Sequence, residues 1–462
     1  MQGLTSETAQ LTTEEQKTWA RKLLPNTCRT SGAREAPEPD GSDVAANAVP
    51  TGSASVPAGK ALDGVRFAAL SGPGPSGMRP EHLKEALFAR ARGAASRLRT
   101  AVAEFHSVAA AGELADCTRW LLDSRLVFLK KKTGPAPRPV RIGECWRRVI
   151  GKKLVHETRS EAQALCLRLR QFGIAIPGGT DVLVHFRGIL EKVLQESGDQ
   201  VLAVLDLDLQ NAFPSFEWHS IQEAVKKFMP KLLGWTTWVQ KEAASVHLPG
   251  GGKMAVDRGA EQGDPLGSLY CGLVLALVLE RTRERLAAEC PEHANFADAW
   301  YMDDGQLFCV PEAVDDVLRL LDEELAKVGA TRGAGEGVKS VARLVGREEA
   351  VRAYPADWIT ERVRGTCKLP GNNAPVHVLG VDIGNAAVRN KQFLNTAGAV
   401  AAGRDKISVL GDVTELVLTR RCGDVCKVTH LLRAHGPNLG VDALNRFDKD
   451  LEKALALAIG GP

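Results

Sequence analysis

The sequence predicts an α+β protein, an antiparallel sheet backed by helices, and three features predict it. The stretch Val201–Leu209 begins as an apolar, partly β-branched run and ends with carboxylate alternating with leucine, as a buried strand does on emerging at one end. Trp300-Tyr301-Met302 and Gln306–Val310 are apolar arms around Asp303-Asp304-Gly305, a turn signal that marks a hairpin. Trp218–Phe228 and residues 313–327 carry apolar side chains at helical spacing. Strand, helix, hairpin and helix in this order bury their apolar surfaces as a sheet with helices packed on it.

In chain order, a short helix is expected over about Thr13–Leu24, with Thr12 or Thr13 as its cap and Glu14-Glu15 in its first turn. Residues 29–62 are rich in Gly, Ala, Pro, Ser and Asp and contain no aromatic residue, so they cannot offset the entropy of ordering. Residues 1–62 therefore read as a mostly disordered lead-in. Leu, Ala and Phe recur at helical spacing over Glu81–Ala110, enough for one or two helices before Gly112. Arg125–Leu129 and Pro139–Ile142 read as the arms of a hairpin around a basic loop, Lys130–Pro137, and helix resumes near Cys145. Residues 63–384 form the main body on this reading. Residues 385–462 are helical, with basic patches at Arg404–Lys406 and Leu418–Cys422. No internal repeat is visible.

A chain of 462 residues, 44% of them hydrophobic, can bury a sizeable core. Lys and Arg (59) nearly cancel Asp and Glu (56), but from Arg79 to Arg170 there are 20 basic residues against 9 acidic ones. That stretch, with Lys130-Lys131-Lys132, Arg147-Arg148 and Lys152-Lys153, suits either a polyanionic partner or a set of solvated helix faces. The ten cysteines are scattered without a CxxC pair, and the polar start is no secretory leader, so reduced thiols and an intracellular location, the nucleus included, are expected. Cys422, Cys426 and His430 recur every four residues, which reads as one face of a helix more readily than as a zinc site. The longest apolar run, Leu269–Leu279, is too short to cross a bilayer, so no membrane role is expected.

Aspartate is disfavoured in strands, and carboxylates at a strand end and a hairpin repel one another if the sheet brings them together. Such a set calls for a cation. Hard ions such as Mg2+ take carboxylate oxygens and substrate phosphates. A pair of them about 3.5–4 Å apart activates an attacking hydroxyl and stabilises a leaving oxygen, the chemistry of nucleotidyl transfer. Taken singly, each aspartate reads better as an ordinary turn or strand-end residue. Strand periodicity leaves Asp206 and Asp208 equivalent, since they share a face.

The joint pattern resembles the reverse transcriptase family. Tyr301-Met302-Asp303-Asp304 matches the family's hallmark motif, and Asp208-Leu209-Gln210-Asn211-Ala212-Phe213 looks like its first catalytic motif, with the spacing to Phe213 selecting Asp208. Gly259-Ala260-Glu261-Gln262-Gly263-Asp264-Pro265-Leu266-Gly267 resembles the motif between them, a glycine-rich turn opening a long helix, with Pro265 suited to the first turn. Lys131 and Arg138, at either end of the basic loop, look like the residues that grip an incoming triphosphate, and Arg138-Pro139-Val140 is a run usual in the family. Gln171-Phe172-Gly173, Gly178-Gly179-Thr180-Asp181 and His185 resemble the segment before the first catalytic strand. Ser71–Met78 followed by Glu81-His82-Leu83 is similar to an extra motif of non-LTR retrotransposons, and Val378-Leu379-Gly380-Val381 with Ile383-Gly384 to the hairpin that holds a primer terminus. The resemblance spans roughly residues 68–385. One departure is the insertion Arg332–Val338 ahead of Lys339, where the family has a shorter turn.

The resemblance implies a right-hand polymerase, its fingers and palm interleaved along the chain and followed by a small helical thumb. It implies an RNA-directed DNA polymerase that extends a primer 3′ hydroxyl with dNTPs, with an RNA template and a DNA primer as partners. Two Mg2+ ions, replaceable by Mn2+, would be held by Asp208, the Leu209 carbonyl and Asp303, with Asp304 assisting. Lys131, Arg138, Phe213, Gln262, Gly263 and Lys339 would meet the nucleotide, Phe213 by excluding a ribose hydroxyl. Gly259, Leu379 and Gly380 would lie along primer and template. No segment resembles an RNase H or an endonuclease, so a nuclease is expected from elsewhere. Two other polymerase readings stay in view. The aromatic at 213 argues against an RNA-directed RNA polymerase, and the lack of an intron-binding extension against a maturase. The third alternative is an inactive nucleic-acid-binding protein, against which Asp208, Asp303 and Asp304 argue.

Overall fold

The computed structural model describes residues 12–24, 62, 65–68, 71–89, 92–130, 137–196, 198–335, 338–407, 414, 417 and 425–458. All of the predicted lead-in over 29–62 except Leu62 lies outside these residues, as do Lys131 and Cys422. The helices are α1 (Thr13–Leu23), α2 (Pro80–Leu87), α3 (Arg92–Ala111), α4 (Cys145–Glu157), α5 (Arg159–Arg168), α6 (Gly179–Glu196), α7 (Ala212–Ser215), α8 (Trp218–Phe228), α9 (Leu233–Val239), α10 (Gly267–Glu289), α11 (Val314–Lys327), α12 (Glu348–Ala353), α13 (Glu361–Thr366), α14 (Ala386–Ile407), α15 (Thr429–His435) and α16 (Val441–Ala458). The strands are β1 (Ser124–Leu129), β2 (Arg138–Gly143), β3 (Leu202–Asp208), β4 (Ala244–His247), β5 (Lys253–Val256), β6 (Phe296–Tyr301), β7 (Asp304–Cys309), β8 (Val341–Val345), β9 (Val376–Val378) and β10 (Val381–Ile383). The chain divides into two compact units, one of Met1–Leu169, Leu209–Glu289 and Leu320–Arg332, the other of Arg170–Asp208, Cys290–Arg319 and Gly333–Pro462.

In the first unit a four-stranded sheet runs β2-β1-β4-β5, with β1 antiparallel to β2 and parallel to β4. Alternate residues of β1 are buried, and Leu126 and Phe128 join Val246 and Val256 beneath Ala20, Leu23 and Leu24 of α1. Thr12 caps that helix, its hydroxyl accepting from the Glu15 N–H at 3.3 Å while the Glu15 carboxylate accepts from the Thr12 N–H at 2.8 Å, so the cap is Thr12 and not Thr13. The apolar run in α10 is buried on every side, which is why it lacks amphipathic spacing. Pro265 sits in the turn before α10 instead of in its first turn. Four residues of the basic stretch, Arg141, Arg147, Arg148 and Lys153, are buried, so part of that charge faces inward and offers no surface to a polyanion.

The second unit is built on an antiparallel sheet ordered β6-β7-β3-β8. Helix α6 packs Leu194 against Val204, Phe308 and Val345. A neutral set of four buried or half-buried charges lies beside this core. Arg187 of α6 donates from both terminal nitrogens to the two oxygens of Asp206 at 3.1 Å, and Glu191 accepts from Arg187 and Arg343. The β9–β10 hairpin closes through Leu379 (φ 49°) and Gly380 (φ 89°), the pair of left-handed residues that a two-residue turn of matching twist requires. Residues 386–458 are helical where described and share a core of Phe393, Val400, Leu431, Leu439 and Phe447. Cys426 lies in a 3-10 turn and His430 in α15, so the expected continuous helical face is interrupted at Val428. Among the described residues no helix is long and apolar enough to cross a membrane.

Removing Glu191 would leave the fully buried Arg343 guanidinium without its carboxylate and Arg187 with Asp206 alone. Glu191→Ala is expected to lower the unfolding free energy by about 3–5 kcal/mol, read from the denaturant midpoint. A loss under about 1 kcal/mol, the range of an exposed pair, would mean that water reaches the set.

Candidate active site

The end of β3 and the start of β7 bring carboxylates together. Asp208 pairs in register with Asp304, and Asp206 with Gln306. Asp206 and Asp208 share a face, but Arg187 covers Asp206, whereas Asp208, one strand repeat further, remains partly exposed. Asp206 is thus spent on packing, which separates two residues that strand periodicity left equivalent. The Asp208 N–H donates to Ser340 Oγ at 3.1 Å, and Lys339 Nζ stands 3.2 Å from both Asp208 oxygens. Asp304 is exposed at the start of β7, and partial desolvation of its carboxyl, then repulsion by Asp303 and Asp208, raises its pKa to about 6, with Lys339 offsetting part of the shift.

The hairpin turn consists of Met302 and Asp303, because Tyr301 already pairs with Asp304. The Asp-Asp-Gly signal therefore sits one residue later than the turn itself. Gly305 lies within β7, where a Cβ would come 2.5 Å from the Trp300 ring. Met302 has φ 58°, a conformation that a bulky side chain adopts only under constraint. Gln171 supplies the constraint. Its Oε1 accepts from the Met302 N–H at 2.7 Å and its Nε2 donates to the Met302 carbonyl at 3.0 Å. Gly173 lies so close that a Cβ there would be 2.6 Å from Met302 N.

The first unit holds the residues that the resemblance assigned to the nucleotide and part of the primer track. Arg138 opens β2 and is exposed, opposite Leu129. Phe213 is buried in α7, and its carbonyl accepts from the Ala260 N–H at 2.6 Å. Gly259 (φ 85°) passes so near Pro214 that a Cβ would meet Pro214 Cα at 2.6 Å. The Gln262 carbonyl accepts from the Arg141 N–H at 3.0 Å, and a Cβ on Gly263 (φ 115°) would fall 2.5 Å from the Arg141 carbonyl. The glycine-rich loop is therefore pinned to β2 on one side and to the α7 segment on the other. Leu209 is buried and bridges Arg332. In the second unit lie Asp208, Asp303, Asp304 and Lys339, together with Leu379 and Gly380 at the β9–β10 turn. Sequence reasoning missed the bracing of Met302 by Gln171, the pairing of Asp206 with Arg187, and the burial of Arg141 and Arg147 against Glu261. Burial of an arginine has no signature in a single sequence.

No family model matches the sequence. Over 179 residues, 36% of the chain, it is 30% identical to the retrovirus-related Pol polyprotein from type-1 retrotransposable element R2 of Nasonia vitripennis, and it spans 17% of that polyprotein's length. Among solved structures, it resembles a telomerase from Candida tropicalis at TM-score 0.35 and 13% identity, covering 57% of this chain and 53% of that one. A telomerase from Candida albicans, in complex with a fragment of telomeric RNA, resembles it at TM-score 0.40 and 11% identity, covering 74% and 56%. The Pol match is to a retrotransposon polyprotein, in line with the retroelement resemblance of the motifs.

A carboxyl group whose folded pKa lies above its ordinary value penalises the fold while ionised, and the penalty fades as pH falls through about 6. In chelator at neutral pH, Asp304→Asn should therefore raise Tm, by at most about 2–4 °C, because solvent screens an exposed carboxylate and leaves no more than ~1 kcal/mol in a unit of roughly 200 residues. The advantage should shrink as pH drops below 6 and also when Mg2+ is added. A variant no more stable than wild type at any pH would show that the carboxylates do not repel.

Proposed function

We propose that the chain is an RNA-directed DNA polymerase of the non-LTR retroelement kind, extending a primer 3′ hydroxyl with dNTPs on an RNA template. The observation that carries this reading is the register of Asp208 against Asp304, with Asp303 in the adjoining turn, because repelling carboxylates on a braced hairpin need a cation. The donors are hard oxygens, which suits Mg2+ or Mn2+. The Lys339 ammonium beside Asp208 is itself a counter-charge of the kind an ion would supply. Among the described residues no three His, Cys, Asp or Glu side chains enclose a metal site by themselves. Any ion held here would need water and substrate phosphate to complete its ligands. When bound, two such ions would supply charge neutralisation at the α-phosphate and activate the primer hydroxyl.

The chain's own residues do the rest. Asp208, the Leu209 carbonyl and Asp303 hold the ions, with Asp304 assisting, and Gln171 keeps the turn that carries Asp303 in one conformation. Arg138 neutralises the triphosphate, together with Lys131, and Gln262 and Gly263 meet the nucleotide beside them. Lys339 stands by the carboxylates as a cation for the departing pyrophosphate. Gly259, Leu379 and Gly380 face primer and template, and the helices from Ala386 onward serve as a thumb. The site then aligns hydroxyl and phosphate for in-line attack.

The deciding assay supplies the purified chain with a primed RNA template, Mg2+ and labelled dNTPs. Asp208→Ala and Asp303→Ala should each cut extension by at least ~100-fold, the scale on which preorganised charge stabilisation acts, while primer-template affinity changes little because basic surface carries it. Extension that survives both substitutions would refute the metal site. Phe213 supplies a second test. Phe213→Val should raise rNTP over dNTP incorporation by at least ~10-fold, which asks for only ~1.4 kcal/mol of relieved clash. An unchanged ratio with dNTP activity intact would make Phe213 core packing alone.

A further inference from the structure

Beside Gln262 and Gly263 lies a set of four charges that the proposed reaction does not use. Glu261 Oε1 stands 2.7 Å from Arg141 Nη2 and 2.8 Å from Arg147 Nη1, while Arg147 Nη2 stands 2.9 Å from Asp264 Oδ2. All four side chains are buried, none more than 8% exposed. The guanidinium groups are held from behind as well: Arg141 Nε donates to Ser124 Oγ at 3.1 Å and Arg147 Nη1 to the Leu122 carbonyl at 3.1 Å. The Arg141–Glu261 contact is an ion pair without hydrogen-bond alignment, since Arg141 Nη2 has no properly directed acceptor.

A buried neutral set of this kind adds little stability over well-packed apolar side chains of the same volume, so stability alone does not account for it. Its geometry does something more particular. Arg141 is three residues along β2 from Arg138, and Glu261 immediately precedes Gln262. The Arg141 backbone already binds the Gln262 carbonyl, and Gly263 is in contact with the Arg141 carbonyl. Side chain and backbone thus fix the glycine-rich loop to the strand that carries Arg138, in a single register.

We propose that Glu261 is a positioning residue for the nucleotide. By bridging Arg141 and Arg147 it holds the loop against β2 so that Gln262 and Arg138 engage the same deoxynucleoside triphosphate. This rests on the polymerase reading of Arg138 and Gln262. Glu261 acts through the loop and touches no substrate.

The test is Glu261→Gln, which keeps the volume and removes the charge, assayed by steady-state primer extension and by dNTP-induced thermal shift without turnover. KM for dNTP should rise ~10-fold with kcat within ~3-fold, the dNTP-induced shift should weaken in parallel, and primer-template affinity should hold. In combination with Arg138→Ala, the rise in KM should fall well short of the product of the two single effects, because both changes disable one contact. An unchanged KM, a fully multiplicative double variant, or a loss confined to kcat or to template affinity would overturn the proposal. Should Glu261→Gln fail to fold, Arg141→Lys, which keeps a charge but loses the fork, takes its place. Failure of both to fold would overturn the proposal by making the set a requirement of the fold. An active wild type with a silent Glu261→Gln sinks this inference alone. A wild type that neither extends primers nor shifts with dNTP sinks the polymerase reading and this inference with it.

Discussion

Asp208 and Asp304 stand opposite each other on neighbouring antiparallel strands, a placement in which like charges oppose pairing. The surroundings of these two residues are what keeps the arrangement folded. Arg187 pairs with the third carboxylate of the two strands, Asp206, and offsets its charge. Lys339 supplies a positive charge at Asp208, and Ser340 orders its backbone. Gln171 fixes the strained Met302 turn, so that Asp303 and Asp304 do not relax apart. Lys339 offsets part of the repulsion, and the remainder persists in the folded hairpin.

Around Glu261 in the first unit, as around Glu191 in the second, charge is used in the opposite way. In the first unit carboxylates and guanidinium groups are matched two to two and buried, and their pairing links a strand to a loop. Buried matched charge sets register where apolar packing would leave it free, while unmatched charge at a surface recruits a ligand. Arg138 is exposed on the same strand whose Arg141 is buried.

Much of this was legible in the sequence because it follows from periodicity and turn chemistry. The Val201–Leu209 strand, the hairpin at 125–142, the hairpin whose arms were read at 300–302 and 306–310, and the helix over Trp218–Phe228 lie where the pattern put them, and the hairpin at Leu379-Gly380 lies where the resemblance put it. The errors have physical causes. Asp-Asp-Gly was read as the hairpin tip, but the turn is Met302-Asp303, and Gly305 lies in β7 with Trp300 packed against it. The basic stretch suggested a continuous surface, yet Arg141 and Arg147 find carboxylates more than a hundred residues away, a pairing that no local pattern encodes. Asp206 and Asp208 were equivalent by strand period; the spacing to Phe213 selected Asp208, and the physical difference between them, Arg187 of α6 on Asp206, has no signature in the strand itself.

A carboxylate cluster held together against its own charge should bind a divalent ion before any substrate arrives. Titration of Mn2+ into the purified chain near neutral pH, with free ion read by electron paramagnetic resonance, measures this directly. Saturable Mn2+ binding that Mg2+ displaces, and that is lost in both Asp208→Asn and Asp303→Asn, is the predicted result. Identical isotherms for wild type and both variants would contradict it.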